Sequence, residues 1–174
     1  MSLFGNAAAA GEEWPIDVLT LDFLVSGRVG VDAQKWGWAY FAPTGQRAAQ
    51  ELRVTVDAMH PTGKLAAPEW VGRTASFAYS NGLVAFIARE PATVAVWQKW
   101  AASIGSPVQA EFVAGPYLVA GSALSPDGTL QVMLSDRIAI FDATITRLDD
   151  PAATPIEVPC GMLSTRCIQS AALL

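Results

Sequence analysis

The chain has 174 residues, of which 52% are hydrophobic and only 16% are charged. Soluble domains usually contain about 25% charged residues, and disordered chains combine low hydrophobicity with high net charge, so the composition excludes disorder and predicts an apolar-rich folded protein. The net charge is −5, and the 11 Lys and Arg residues are scattered singly. Because nucleic acids and anionic membranes attract clustered basic side chains, we expect neither as a partner.

From the sequence we expect no membrane-spanning segment and no secretory signal. Its apolar runs are interrupted well before the roughly 20 residues that a spanning helix needs, and its start lacks the basic and long apolar segments of a secretory signal. We therefore expect a cytoplasmic protein with a flexible tail at 1–15. In that reducing compartment, Cys160 and Cys167 are expected to pack as small hydrophobic thiols, in preference to the alternative of a disulfide. His60 is the only histidine, so we expect no zinc site of the usual Cys and His type.

Strand signals dominate the first half of the chain. Short runs rich in Val, Ile, Leu, Phe and Thr alternate with turn residues, which predicts a mostly-β fold. Asn81-Gly82 separates two such runs and predicts a β-hairpin, because both residues tolerate positive φ. The predicted strands are 18–31 (interrupted at Gly27), 36–41, 52–59, 73–79 and 83–88.

One segment in the middle of the chain departs from this pattern. Pro91 suits a first helical turn. Helical spacing relates Val94, Trp97, Trp100 or Ala101, and Ile104. Gly105 followed by Ser106-Pro107 is a stop signal. We predict one short helix here, connecting two halves of the chain.

Strands resume after this helix. Ser125-Pro126-Asp127-Gly128 predicts a turn, since Pro presets φ and Asp-Gly accepts unusual geometry. The predicted strands are 108–114, 117–124, 130–134, 138–146, 156–158 and 161–171.

The two halves resemble each other in sequence. Leu24-Val25-Ser26-Gly27 matches Leu118-Val119-Ala120-Gly121, and 54–59 matches 139–144 in the same order. A weaker correspondence pairs 77–88 with 162–174. Ordered matches of this kind indicate an internal duplication more than coincidence among apolar strand residues.

The duplication predicts a mostly-β fold with two related small β modules, barrel-like or sandwich, packed together. The first module is expected at 16–90 and the second at 108–174, with a helical connector at 91–107. Chains of this length also fold as one β domain, so one barrel or two remains open. A module of about 70 residues buries a modest area alone, so we expect the halves to pack against each other.

The layout of the matches is a strand ending in glycine, a variable stretch, and an apolar strand entering Asp-Ala. It resembles the small SH3-like and Sm-like barrels and is similar to functionally unassigned tandem small-β-domain proteins of bacteria. In Sm proteins the corresponding loops bind RNA with the help of basic residues. Here the loops at 58–64 and 143–150 carry few basic side chains, so the resemblance does not imply RNA binding.

Catalytic candidates are few. Asp57 and Asp142 occupy matching places, and each is expected to cap a turn by bonding nearby backbone N–H groups. His60 precedes a Pro-x-Gly turn and is expected on an exposed loop. The chain contains no nucleophile elbow and no glycine-rich phosphate motif. The sequence therefore gives enzyme activity no support, and we expect no catalytic residues and no cofactor.

Three aromatic residues are the candidate binding site. Trp36, Trp38 and Tyr40 alternate, so they share one face of a predicted strand. They either cover the core or the seam between modules, or form an exposed platform for a partner, since Trp and Tyr are enriched in interface hot spots. The leading hypothesis is a non-enzymatic protein-interaction or scaffold module that binds another protein, or itself, through this surface. The alternative is a small-ligand- or cofactor-binding β-barrel with a pocket between the halves.

Overall fold

The computed structural model describes residues 13–30, 51–78, 82–92, 94–95, 98–99, 105–125 and 137–174. Within these ranges the fold is mostly β, as predicted, and ten strands form one antiparallel sheet that is not closed into a barrel. A 3₁₀ turn, Thr165–Cys167, joins the last two strands. The strands are β1 (Glu13–Thr20), β2 (Phe23–Gly30), β3 (Glu51–Pro61), β4 (Thr74–Ala78), β5 (Leu83–Ala88), β6 (Ser106–Ala114), β7 (Tyr117–Ser125), β8 (Arg137–Arg147), β9 (Ile156–Ser164) and β10 (Ile168–Leu173).

The order of strands across the sheet is β10-β6-β7-β8-β9-β5-β1-β2-β3-β4. In the first half of the chain, β5 pairs with β1, and β1 to β4 follow as a meander. In the second half, β10 pairs with β6, and β6 to β9 follow as a meander. Pairing of β5 with β9 joins the two halves. Both halves therefore have the same strand order.

The two halves also coincide in the pairing of individual residues. In each half the last strand has a register shift near its start, and the first residue after that strand donates its N–H to the first strand. The pair Ile16–Gly27 of the first half is equivalent to Ala110–Gly121 of the second. The pair Thr20–Leu83 is equivalent to Ala114–Ile168. The hydrogen bond from the N–H of Arg89 to the carbonyl of Pro15 is equivalent to the one from Leu174 to Gln109.

One of the sequence matches is out of step with this pairing. Arg28 faces Thr55 in the first half, and its counterpart Ser122 faces Phe141 in the second. Thr55 is thus the counterpart of Phe141, whereas the sequence match aligned Phe141 with Val56. The two apolar stretches are similar enough to be matched one position apart.

Two apolar cores lie in the sheet, and β5 and β9 contribute to both. The first core consists mainly of residues from β1 to β5, and the second mainly of residues from β6 to β10. Phe86 of β5 and Met162 of β9 enter the first core, while their neighbours Ile87 and Leu163 enter the second. Because successive strand residues point to opposite faces, the β5–β9 pair forms a wall shared by both cores.

The predicted single strand over 18–31 is wrong. Leu21 and Asp22 form a turn, and the flanking strands β1 and β2 pair with each other as a hairpin. The carbonyl of Asp22 accepts hydrogen bonds from the N–H groups of Thr62 and Gly63, at 2.7 and 3.2 Å. The turn is therefore stabilised by a distant part of the chain, and a local sequence pattern does not contain that contact.

The predicted hairpin around Asn81-Gly82 is also wrong. The strands on both sides exist, but β4 pairs with β3, whereas β5 pairs with β1 and β9. All six residues of β5 are buried. A strand that is apolar on both faces is fully buried only when other strands pair with both of its edges and other residues cover both of its faces. For this reason β5 lies between β1 and β9 in the sheet and does not pair with β4.

The predicted connector helix lies partly outside the described residues. Pro91, Ala92, Val94, Ala95, Gln98 and Lys99 have helical conformation. The N–H of Val94 donates to the carbonyl of Glu90 at 3.0 Å, which is the helical pattern of bonding. The complete helix stays a prediction. The predicted strands at 36–41 and 130–134, and the turn after Ser125, lie outside the described residues.

Candidate functional site

The aromatic site predicted from the sequence, Trp36, Trp38 and Tyr40, lies outside the described residues. It stays a prediction.

The predicted places of Asp57 and Asp142 at strand ends are wrong. Asp57 lies within β3 and Asp142 within β8, and both are exposed. Asp57 accepts hydrogen bonds from the guanidinium of Arg28, with the Nε–Oδ2 distance at 3.0 Å, and Arg28 also contacts Glu13. The hydrogen bond and charge of Asp57 raise the pKa of Arg28. Four strands separate β8 from β3 in the sheet, so the order of strands does not bring these carboxylates together.

His60 lies in β3, opposite Leu24 of β2, so its predicted place on a loop is wrong. The strand extends beyond the point that the sequence indicates, because β2 continues to pair with it as far as Pro61. The histidine is exposed, as predicted.

Cys160 and Cys167 are free and buried, which confirms the prediction of two packed thiols. Burial raises the pKa of both, and the charge of Asp142 raises that of Cys160 further. The Sγ of Cys167 donates to the carbonyl of Leu83 at 2.8 Å. Reactive cysteines need a lowered pKa and access to solvent. Both thiols are buried and have a raised pKa, which is the environment of cysteines that pack in a core.

Polar contacts also connect the two halves. Tyr117 donates from its hydroxyl to Oγ1 of Thr62 at 2.7 Å, and the guanidinium of Arg147 lies 5.5 Å from the centre of the Tyr117 ring. Arg89 donates from Nε to Asp17 at 2.6 Å and from Nη1 to the carbonyl of Glu157 at 2.8 Å. The bonds from Tyr117 to Thr62 and from Arg89 to Glu157 join the first half to the second, so these polar side chains stabilise the contact between the halves.

Among the described residues, no group of three or more His, Cys, Asp or Glu side chains could hold a metal ion. No helix in the described part of the chain has the length and apolar character that spanning a bilayer requires.

The feature that stands out is the pair of sheet edges. No strand of the described ranges pairs with the outer side of β4 or of β10. Neither strand contains a charged residue or a proline: β4 is Thr-Ala-Ser-Phe-Ala and β10 is Ile-Gln-Ser-Ala-Ala-Leu. Natural edge strands usually carry charges, proline or bulges that prevent another strand from adding. The bulge of β10 lies at its start, between Ile168 and Ser170, so the rest of both edges can accept a strand.

The direction of the backbone groups on both edges follows from the pairing. In an antiparallel ladder, residues alternate between bonding one neighbour and facing the other side. Leu174 bonds Gln109 of the neighbouring strand segment, so Ala171 and Leu173 present their N–H and C=O groups away from β6. Val56 bonds Arg73, so Thr74 and Ser76 present theirs away from β3.

Large apolar side chains are exposed at both edges. Leu173 at the end of β10 is 51% exposed and Leu174 is 74% exposed. Trp70 and Val71, shortly before β4, are 39% and 64% exposed. As far as the described residues show, the edges thus combine backbone groups that no strand pairs with and exposed apolar side chains.

No family model matches this chain, and no curated protein or solved structure matches it either. The sequence does contain part of the edge signal, since β4 and β10 are short, uncharged strand-type runs. This signal does not identify an edge by itself, because a strand lies at an edge only through the order of the other strands, which depends on contacts between distant residues.

Proposed function

We propose that this chain is a non-enzymatic protein-interaction or scaffold module whose binding surfaces are its two sheet edges. The observation that carries the proposal is the presence of two uncharged edge strands, β4 and β10, without the features that normally prevent strand addition. An added strand gains affinity from main-chain hydrogen bonds and specificity from the side chains beside them. The predicted surface of Trp36, Trp38 and Tyr40 is a further binding surface in this proposal.

We also propose that the molecule consists of two related modules, 16–90 and 108–174. The shared strand order, the equivalent register shifts near Leu83 and Ile168 and the equivalent glycine pairs support this. The resemblance to SH3-like and Sm-like barrels and the cytoplasmic location remain predictions.

The alternative, a ligand-binding barrel with a pocket between the halves, has no observation in its favour among the described residues. The seam between β5 and β9 is occupied by buried side chains such as Phe86 and Leu163. Pockets for small molecules are instead concave and accessible.

Edge-blocking proline substitutions test the proposal. Proline has no N–H, and it is tolerated at an edge where that N–H faces outward. Ser76→Pro and Ala171→Pro therefore remove donors from the binding edges and leave the internal ladder intact. Affinity capture from the native cell extract compares both variants with the wild type and with Ala66→Pro, which changes an exposed residue outside the strands.

We expect the wild type and Ala66→Pro to capture proteins, including untagged copies of the chain itself, that the two edge variants do not capture. Identical captures by all four proteins would overturn it. Circular dichroism of each variant establishes that the sheet is retained.

A further inference from the structure

We infer that the partner at these edges is a second copy of this chain, with β10 of one copy pairing antiparallel with β4 of the next. The inference rests on the proposed function and names its partner. Four observations on the strand order, register, backbone direction and exposed apolar residues carry it.

The first observation is the internal junction. Within one chain, the last strand of the first half (β5) pairs with the fourth strand of the second half (β9). By strand order, the counterpart of β5 is β10 and the counterpart of β9 is β4. Each copy therefore exposes, at its two ends, the two sides of a junction that it already contains once.

The register of the internal junction specifies the register between copies. In the internal junction, Ala85, Phe86, Ile87 and Ala88 face Leu163, Met162, Gly161 and Cys160 in that order. Replacing each residue by its counterpart in the other half gives the pairs between copies. These pairs are Ser170–Phe77, Ala171–Ser76, Ala172–Ala75 and Leu173–Thr74.

The direction of the backbone groups agrees with this register independently. The outward-facing residues of β10 are Ala171 and Leu173, and those of β4 are Thr74 and Ser76. An antiparallel ladder requires outward-facing residues to lie opposite each other. The derived register satisfies this, whereas a shift by a single position does not.

Exposed apolar residues meet in the same arrangement. Leu173 lies opposite Thr74, so the exposed side chains of Leu173 and Leu174 come next to the segment that contains Trp70 and Val71. Burial of apolar area favours association. Small side chains, Ala171 and Ala172 against Ala75 and Ser76, allow the two backbones to approach.

The pairing is head-to-tail, because it joins two different edges. A head-to-tail contact generates a ring or a filament and does not stop at a dimer. Pairing of β10 with β10, or of β4 with β4, is two-fold and stops at a dimer. The size of the assembly and the identity of the cross-linked residues separate these arrangements.

Disulfide cross-linking between single-cysteine additions tests the inference. Ala172 and Ala75 form a non-hydrogen-bonded pair in the derived register, where Cα atoms lie about 4.5 Å apart, within the range that a disulfide spans. The native cysteines are buried. Purified Ala172→Cys and Ala75→Cys chains, carrying tags of different size, are mixed and oxidised, and the products are resolved without reductant.

We expect a mixed disulfide that forms about tenfold faster than in the control mixture of Ala172→Cys with Ser76→Cys, whose added side chains point to opposite faces. A chain carrying both Ala75→Cys and Ala172→Cys should give a ladder that continues beyond the dimer. Leu173→Cys with Thr74→Cys, both at exposed positions, repeats the test if Ala75→Cys disturbs folding.

Three results overturn the inference. They are equal rates in both mixtures, a product of Ala172→Cys alone that stops at the dimer, and the absence of any cross-link. If cross-links are absent while the edge-blocking prolines still abolish capture of a different protein, the inference fails and the proposed function stands. If the prolines change no capture either, both fail.

Discussion

At the scale of single residues, two glycines determine how closely neighbouring strands approach. A Cβ atom on Gly27 would lie 2.4 Å from the carbonyl oxygen of Thr55, and one on Gly121 would lie 2.5 Å from Cα of Ala143. Both glycines adjoin register shifts, between β2 and β3 and between β7 and β8. Equivalent positions in the two halves thus have the same steric requirement.

Gly27→Ala and Gly121→Ala should each lower the free energy of unfolding by about 1–3 kcal/mol, the usual cost of overpacking. Backbone atoms of the partner strand have to move to admit the methyl group. Urea unfolding measures the change. Ser26→Ala, on the residue beside Gly27, should change the free energy by no more than about 0.5 kcal/mol. If both glycine variants also changed the free energy of unfolding by no more than about 0.5 kcal/mol, the close approach of the strands would not be the reason for glycine at these positions.

The buried thiol of Cys160 predicts a dependence of stability on alkaline pH. Burial and the charge of Asp142 raise its pKa in the folded protein, while an unfolded thiol has a pKa of about 8.5. As the pH rises above that value, the unfolded chain loses this proton first. The free energy of unfolding should therefore decrease, with a slope approaching about 1.4 kcal/mol per pH unit from this group.

Urea unfolding from pH 7 to 10 measures this slope, and Cys160→Ala should be less steep by the contribution of Cys160. Burial also raises the pKa values of Cys167 and Tyr117, so a smaller slope remains in the variant. A variant with the same slope as the wild type would exclude Cys160 as its source.

At the scale of elements, β5 and its counterpart β10 differ in what their positions require. Both are last strands of a half, yet β5 is buried throughout and most of β10 is exposed. Ile87 in β5 corresponds to Ala172 in β10, and Phe86 corresponds to Ala171. At these two positions the central strand has large apolar side chains, one for each core, and the edge strand has alanine.

Phe86→Ala should lower the free energy of unfolding by about 3–5 kcal/mol, because it removes a fully buried ring from the first core. Leu173→Ala should change it by no more than about 0.5 kcal/mol in dilute solution, since the side chain is half exposed. The same Leu173→Ala change should weaken association of the chain. Chemical unfolding and sedimentation measure the two effects separately. Equal losses of stability would contradict the assignment of β10 as an edge.

The elements also show what a sequence can predict here. Apolar runs locate β3, β5, β6, β7 and β8 correctly, because strand-forming side chains are a local property. Pairing is not local: the turn at Leu21 and Asp22 depends on Thr62, and β5 leaves β4 to lie between β1 and β9. Asn81-Gly82 predicts a hairpin from local geometry, and burial of β5 outweighs that preference.

At the scale of the whole molecule, the candidate site follows from the order of strands. β4 and β10 carry no charge, but the predicted strands that contain them, 73–79 and 161–171, include Arg73 and Arg166. The position of both strands at the ends of a sheet does not follow from the sequence. The sequence match between the halves indicates that the strand order is repeated, although the match of 54–59 with 139–144 is displaced by a single position. In the proposed assembly the chain is one segment of a longer sheet, which further copies extend.

The most direct test of this account is residue-resolved amide hydrogen exchange of the pure protein at several concentrations. The outward-facing amides of Thr74, Ser76, Ala171 and Leu173 should become protected together as the concentration rises, because each contact uses one edge of each kind. Ala75 and Ala172, whose amides face their own sheet, provide the internal control. If all four outward amides exchange rapidly at every concentration, the pairing of edges is contradicted.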